Sequence, residues 1–138
     1  RWPHRKIDYV GIDLSAAMVA AAQTRWAGVP NARFQLGTSS DRRADFAVAS
    51  GLFNVCQSVK RNRWEDFVRA TLQDLRQSCK KGFSANFLAP LPPEARTVPQ
   101  LYRTHPQPWM DYCETELGCE VQLLDCYGMR EFTLLAKC

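Results

Sequence analysis

The sequence has few of the features expected of a membrane, zinc-binding or nucleic-acid-binding protein. No apolar run approaches the roughly 20 residues needed to cross a bilayer, and no signal-like segment is present. The six cysteines form no C-x-x-C pair and there are only two histidines, so we expect no metal site. A net charge of only +4, with basic residues in small groups separated by acids, does not predict a nucleic-acid surface.

The composition indicates a globular protein in a reducing compartment. Cys56, Cys79 and Cys126 fall in apolar stretches, where a reduced thiol behaves as a small hydrophobic group. Together with the lack of a signal-like segment, this favours a cytoplasmic location over a disulfide-rich secreted scaffold. Because 46% of the 138 residues are hydrophobic, we expect one domain spanning residues 1–138, with a core that needs no metal or disulfide.

Strand-like and helix-like segments alternate over the first ninety residues. Apolar or alternating patterns predict four strands, at Lys6 to Asp13, Ala32 to Leu36, Asp45 to Ser50 and Phe83 to Ala89. A helix from Ala16 to Trp26 follows the first strand, with Ser15 as its N-cap and Gly28 as its stop. A longer helix is predicted before the fourth strand. Asn62 and Glu65 form its predicted capping box, Lys80 and Lys81 its basic last turn, and Gly82 its end.

The last third of the chain has a different organisation. A helix is predicted from about Pro106 to Leu117, followed by strands at Cys119 to Tyr127 and Glu131 to Lys137. Only three residues join these strands, and such a short link permits only an antiparallel hairpin. The chain is therefore expected to form an α/β fold with a mostly parallel sheet and a C-terminal antiparallel hairpin.

Asp13 ends the first predicted strand, immediately before a helix. A carboxylate at this position can hold both hydroxyl groups of a nucleoside ribose. An acid here can equally cap the helix or interact with its dipole. The residue type by itself leaves both interpretations open.

The residues around Asp13 resemble a known family. The segment YVGIDLSAAM, from Tyr9 to Met18, is similar to the second-strand motif of class I S-adenosylmethionine-dependent methyltransferases. Phe34 to Gly37, Asp45 to Phe53 and Gly82 to Leu88 resemble the third, fourth and fifth strands of that family, and the hairpin resembles the sixth and seventh. The resemblance covers nearly the whole chain, and it implies a Rossmann-like fold and S-adenosylmethionine as the cofactor.

The resemblance also implies a cofactor site. Asp13 would hold the ribose diol, and Leu14 and Met18 would line the adenine and ribose face, with core packing as their alternative role. The remaining contacts would come from the ends of the third and fourth strands, at Gly37, Thr38, Ser50, Gly51 and Phe53. Many family members carry an acid where Thr38 stands, so the contact to the adenine amino group stays open among Thr38, Ser39 and Asp41.

The acceptor side is implied by the same resemblance. Its candidate residues are Asn54, Tyr102, His105, Trp109 and Tyr112. Core packing is the alternative role for Phe53, and loop capping is the alternative role for Asn54. Methyl transfer is an in-line displacement that positioning and partial desolvation can accelerate, so a dedicated base is optional. His105 is a candidate base, and no catalytic residue is assigned.

The first strand of the family and its glycine-rich turn have no counterpart in this sequence. In the family that strand lies between the strands that correspond to Val10 and Val48, so two unpaired edges are expected. These two strands could pair directly, another protomer could cover the gap, or the chain could be a fragment of a longer protein. We expect an N-terminally truncated domain that forms a homodimer or strand-sharing oligomer and binds its cofactor weakly.

Two functions agree with these patterns. The first is an S-adenosylmethionine-dependent methyltransferase acting on a small-molecule acceptor. The alternative is a non-catalytic methyltransferase-like remnant that serves oligomerisation or partner binding. A nicotinamide-dependent oxidoreductase would also place an acid after its second strand, but the closing hairpin and the Asp13-Leu14-Ser15 context fit that class poorly.

Overall fold

The computed structural model describes residues 7–126 and 128–138, which divide after Arg42 into two compact units. The first unit contains one helix between two strands, at β1 (Tyr9–Asp13), α1 (Ala16–Arg25) and β2 (Ala32–Leu36). The second contains two helices and four strands, at β3 (Ala44–Ala49), α2 (Arg61–Ser78), β4 (Cys79–Leu88), α3 (Gln107–Thr115), β5 (Glu120–Leu124) and β6 (Glu131–Lys137). Lys6 and Tyr127, at the ends of two predicted strands, lie outside the described residues. The single-domain organisation stays a prediction.

The first unit is a parallel strand pair with its crossover helix. Strands β1 and β2 pair in register from Tyr9 opposite Ala32 to Asp13 opposite Leu36. Helix α1 begins as predicted, because the Ser15 hydroxyl accepts a hydrogen bond from the Met18 backbone N–H at 3.3 Å. Because this cap lies within the helix's own stretch of chain, the start of α1 could be predicted from the sequence.

The second unit is built on a four-stranded sheet in the order β3-β4-β6-β5. Strands β3 and β4 are parallel, whereas β6 is antiparallel to both β4 and β5. The predicted α/β fold with a C-terminal antiparallel hairpin is therefore confirmed. Strand β6 of the hairpin lies inside the sheet and β5 forms its edge.

Stacked aromatic rings form the centre of the core in the second unit. The Phe87 ring on β4 lies 4.8 Å from the Phe53 ring, 5.2 Å from Phe132 and 5.8 Å from Trp109, measured between ring centres. All four side chains are at most 3% exposed. Because truncating a buried aromatic residue to alanine costs about 3–5 kcal/mol, these contacts contribute strongly to the stability of the unit.

The predicted capping box at the start of the long helix is wrong. Helix α2 begins at Arg61 with Lys60 as its N-cap, and no side chain bonds to the cap. Asn62 therefore lies within the first helical turn, where it cannot serve as the cap residue. Glu65 instead pairs with Arg61 at 2.9 Å and accepts a hydrogen bond from the Tyr102 hydroxyl at 3.2 Å.

The predicted end of the same helix is also wrong. Lys80, Lys81 and Gly82 belong to β4, which begins directly after the helix at Cys79. Gly82 pairs with Lys137 across the sheet, and the Ala136 carbonyl occupies the space that a Cβ atom at position 82 would need. Pairing with β6 therefore overrides the local helix-end signals, because a glycine is required for this close approach.

One disulfide, between Cys119 and Cys138, joins the two ends of the hairpin. Because Glu120 pairs with Lys137, the residues next to them, Cys119 and Cys138, lie opposite each other, with their Cα atoms 4.5 Å apart. No feature of the sequence predicted this pair. Cys56 and Cys79 are buried as expected, whereas Cys126 is exposed because β5 ends before it at Leu124. The cytoplasmic location stays a prediction.

Within the described residues, β1 pairs only with β2 and β3 pairs only with β4. Each of these strands therefore has an edge without a strand partner in the described part of the chain. Among the same residues, no helix combines the length and the hydropathy required to span a bilayer.

Candidate functional site

The carboxyl ends of β1 and β2 bring three predicted cofactor residues together. The Gly37 backbone N–H donates to the Asp13 carbonyl oxygen at 3.0 Å, and Thr38 follows directly. Parallel strands end at the same edge of a sheet, so the loops after them share one surface. Asp13, Gly37 and Thr38 thus lie at the edge where an α/β fold ordinarily binds its ligand.

The Asp13 carboxylate combines both of the roles considered for it. Its Oδ1 atom accepts a hydrogen bond from the Ser15 backbone N–H at 2.7 Å, as expected of a residue that shapes the turn before a helix. Its Oδ2 atom has no hydrogen-bond partner among the described residues, and the residue is exposed. A carboxylate oxygen in this state can accept a hydrogen bond from a ligand hydroxyl.

Exposed apolar residues lie near Asp13 in the chain and across the strand pair. Leu14 is 73% exposed, Met18 is 60% exposed and Leu36, opposite Asp13, is 62% exposed. Leu14 and Met18 are therefore not core residues, which was their alternative role. An apolar surface next to a hydrogen-bond acceptor is suited to a flat base attached to a sugar.

The three candidates for the adenine amino group differ in their environments. Thr38 and Ser39 are exposed. The Asp41 carboxylate is exposed as well, and it accepts a hydrogen bond from the Gln35 amide at 3.3 Å. All three lie in the loop after β2, so the choice among them stays open.

The predicted residues in the loop after β3 have different environments. Ser50 and Gly51 are exposed, and Gly51 adopts the left-handed conformation with φ 73°. Phe53 is fully buried against Phe87, so its side chain has the packing role that was considered as its alternative. The Asn54 side-chain oxygen is buried and has no hydrogen-bond partner among the described residues. Asn54 therefore retains an acceptor for a polar ligand group.

A short extended segment holds part of the acceptor side next to this loop. The Tyr102 N–H donates to the Asn54 carbonyl at 3.0 Å, and the Thr104 N–H donates to the Leu88 carbonyl at the end of β4 at 3.1 Å. The Tyr102 side chain is buried, and this burial raises the pKa of its hydroxyl. Trp109 is buried too and donates from its indole to the Thr104 hydroxyl at 3.1 Å. Tyr102 and Trp109 are thus mainly packing residues.

A groove between α2 and α3 gathers the other acceptor-side candidates. It has a volume of about 400 Å³ and is lined by His105, Tyr112 and part of Trp109. Helix α2 contributes three charged residues that were not predicted from the sequence, Arg61, Glu65 and Arg69. Their spacing of four residues, which places them on one helix face, is the signal that could have found them.

The predicted residues therefore fall into two groups. The cofactor candidates up to Thr38 belong to the first unit, whereas the cofactor candidates Ser50, Gly51 and Phe53 belong to the second unit, together with all the acceptor candidates along the loop after β3 and the α2–α3 groove.

Comparisons with known proteins agree with the resemblance seen in the sequence. No protein-family model matches the chain. A Mycobacterium tuberculosis protein whose name assigns it to the methyltransferases is 39% identical over 132 residues, covering 96% of this chain and 80% of that protein.

Solved structures share the fold at low sequence identity. The magnesium protoporphyrin IX methyltransferase of Synechocystis PCC 6803 superposes with a TM-score of 0.67 at 14% identity, over 93% of this chain and 63% of that one. A carbon methyltransferase, CurJ, superposes with a TM-score of 0.68 at 15% identity, over 98% of this chain and 43% of its own. The chain thus spans less than two thirds of the length of either structure.

Proposed function

We propose that this chain, which belongs to the methyltransferases and has the Rossmann-like fold of their class I members, binds S-adenosylmethionine and directs its methyl group to a small-molecule acceptor. The observation that carries the proposal is the exposed Asp13 carboxylate at the end of β1, with Oδ2 open and with exposed apolar residues at positions 14, 18 and 36. The fold and the family support the cofactor, and this local arrangement fits its nucleoside half.

In this proposal the first unit binds the nucleoside. Asp13 accepts hydrogen bonds from the ribose hydroxyls, one at its open Oδ2 and one at the remaining lone pair of Oδ1. Leu14 and Met18 contact the faces of the sugar and base, which removes their exposed apolar surface from water. Gly37 and Thr38 line the edge of the adenine.

The second unit positions the methyl acceptor. When bound, S-adenosylmethionine supplies an electrophilic methyl group on a sulfonium. The residues of this chain hold the nucleophile in line and exclude water from it, which can supply much of the rate acceleration. Ser50, Gly51 and Asn54 contact the reacting groups from the loop after β3, while Phe53 supports that loop from the core and Tyr102 anchors it through its backbone.

The α2–α3 groove supports a small acceptor. Its volume of about 400 Å³ lies within the range of pockets that bind small molecules. His105 and Tyr112 would contact the acceptor there, and Trp109 would form part of the floor.

The open strand edges support the proposal of an incomplete domain. Because the edges of β1 and β3 are unpaired among the described residues, a homodimer or strand-sharing oligomer would cover them. Cofactor affinity is then weak, because the described residues provide only the nucleoside half of the site. Sedimentation analysis tests this assembly, and a monomer at all accessible concentrations would contradict it.

A non-catalytic remnant that serves oligomerisation or partner binding is the second candidate. The same open edges favour it, since a sheet that lacks a strand offers backbone groups to another chain. The two candidates differ in cofactor binding, which a remnant has no need to retain.

Calorimetric titration with S-adenosylhomocysteine tests the proposed function. We expect Asp13→Asn to weaken binding by about 10- to 150-fold, because a hydrogen bond to a charged group contributes about 1.5–3 kcal/mol. Asp45→Asn is the matched control, since Asp45 is an exposed carboxylate of β3 that pairs with Lys81 and should leave the affinity unchanged. No detectable heat at millimolar ligand would favour the remnant, and equal affinities of the two variants would contradict the role of Asp13.

A further inference from the structure

The two walls of the α2–α3 groove carry opposite charge. Arg61 and Arg69 lie on the α2 wall, where Glu65 neutralises the first of them. Asp111 and Glu116 lie on the α3 wall without a basic residue among the groove residues of that helix. The groove therefore has a net positive side and a net negative side.

These charges are not paired across the groove. Among the described residues, the ion pairs of the two arginines stay on α2, where Arg61 meets Glu65 at 2.9 Å and Arg69 meets Asp66 at 3.3 Å. Asp111 accepts a hydrogen bond from Gln107 of its own helix at 2.7 Å. Exposed ion pairs within one helix contribute little stability, so a ligand can replace the pair at Arg69 at low cost.

Helix α3 also contributes aromatic residues to the groove. Tyr112 is half-buried and lines the groove, while the Arg69 guanidinium carbon lies over the buried Trp109 ring, 5.7 Å from its centre. Burial raises the pKa of the Tyr112 hydroxyl, and Glu116 raises it further while Arg69 lowers it. The ring of Tyr112 is thus within electrostatic reach of both walls.

We propose that the groove binds a small zwitterion with an aromatic side chain, in the manner of an aromatic amino acid. Its carboxylate would pair with Arg69, its ammonium group with Asp111 and Glu116, and its ring would lie against Tyr112. This inference rests on the proposed function in one respect only, namely that the zwitterion is the class of molecule that the enzyme methylates. Binding itself needs no cofactor.

Three probes of matched shape test the charge requirement on the full chain without cofactor. L-phenylalanine carries both charges, phenylacetate only the negative one and phenethylamine only the positive one. We expect L-phenylalanine to bind at least about tenfold more tightly than either of the other two, as measured by nuclear magnetic resonance titration. Equal affinity of the three probes, or binding of none of them, overturns the proposal.

Single-residue variants assign each charge to its wall. We expect Arg69→Gln to reduce the affinity for L-phenylalanine to that of phenethylamine, and Asp111→Asn to reduce it to that of phenylacetate. Arg63→Gln, which removes an exposed charge from α2 outside the groove, is the control and should change nothing. Unchanged affinity in both groove variants contradicts the proposed orientation. Titration with S-adenosylhomocysteine reports on the first unit, so failure of cofactor binding and failure of zwitterion binding are separate results.

Discussion

The disulfide between Cys119 and Cys138 predicts that the second unit loses stability on reduction. The bond closes the whole β5–β6 hairpin, with a sequence separation of 19 residues. In the chain-entropy description, reducing a disulfide that closes a loop of this length lowers the free energy of unfolding by about 3 kcal/mol at 25 °C, because the unfolded chain gains conformational entropy. The aromatic core and the strand pairing involve neither sulfur atom, so we expect the reduced protein to remain folded.

Urea unfolding of the oxidised protein and of the reduced, alkylated protein measures this difference. Trp64 and Trp109 belong to the second unit and report on its unfolding. Thiol titration of the unfolded, unreduced chain should detect four thiols, because four of the six cysteines are free, and reduction should raise the number to six. Replacing the exposed Cys126 by serine is the control and should leave the effect of reduction unchanged. Equal urea midpoints before and after reduction, or six thiols at the start, would refute the reasoning.

Two further predictions concern β4 and the buried thiol of α3. Gly82→Ala should lower the free energy of unfolding by about 1–3 kcal/mol, because the new Cβ atom would overlap the Ala136 carbonyl, whereas Gly28→Ala meets no atom and serves as the control; equal urea midpoints would contradict it. Burial raises the pKa of the Cys113 thiol to about 12. The unfolded chain therefore releases this proton at lower pH, and stability should fall as pH rises from about 9 towards 12, a loss that Cys113→Ala should reduce in urea titrations at each pH.

Local signals were sufficient for most elements of the fold. Ser15 caps α1 within the same stretch of chain, and β2 begins and ends at the residues predicted for it. The motif at Asp13 could likewise be recognised from the sequence, because the strand, the acid and the helix cap are consecutive in the chain. The capping prediction at Glu65 was wrong, because Glu65 pairs with Arg61 one helical turn away and accepts a hydrogen bond from Tyr102, which is 37 residues distant in the chain.

The sequence by itself determined the order of helices and strands, the antiparallel hairpin and the family, because hydrophobic periodicity and contiguous motifs are properties of neighbouring residues. Only the tertiary structure decided that Phe53 is a core residue while Leu14 and Met18 are exposed, since burial depends on which elements pack together. It also decided that Gly82 lies in a strand, that Cys119 meets Cys138, and that oppositely charged walls face each other in one groove. These features depend on pairing between segments far apart in the chain, which no local pattern encodes.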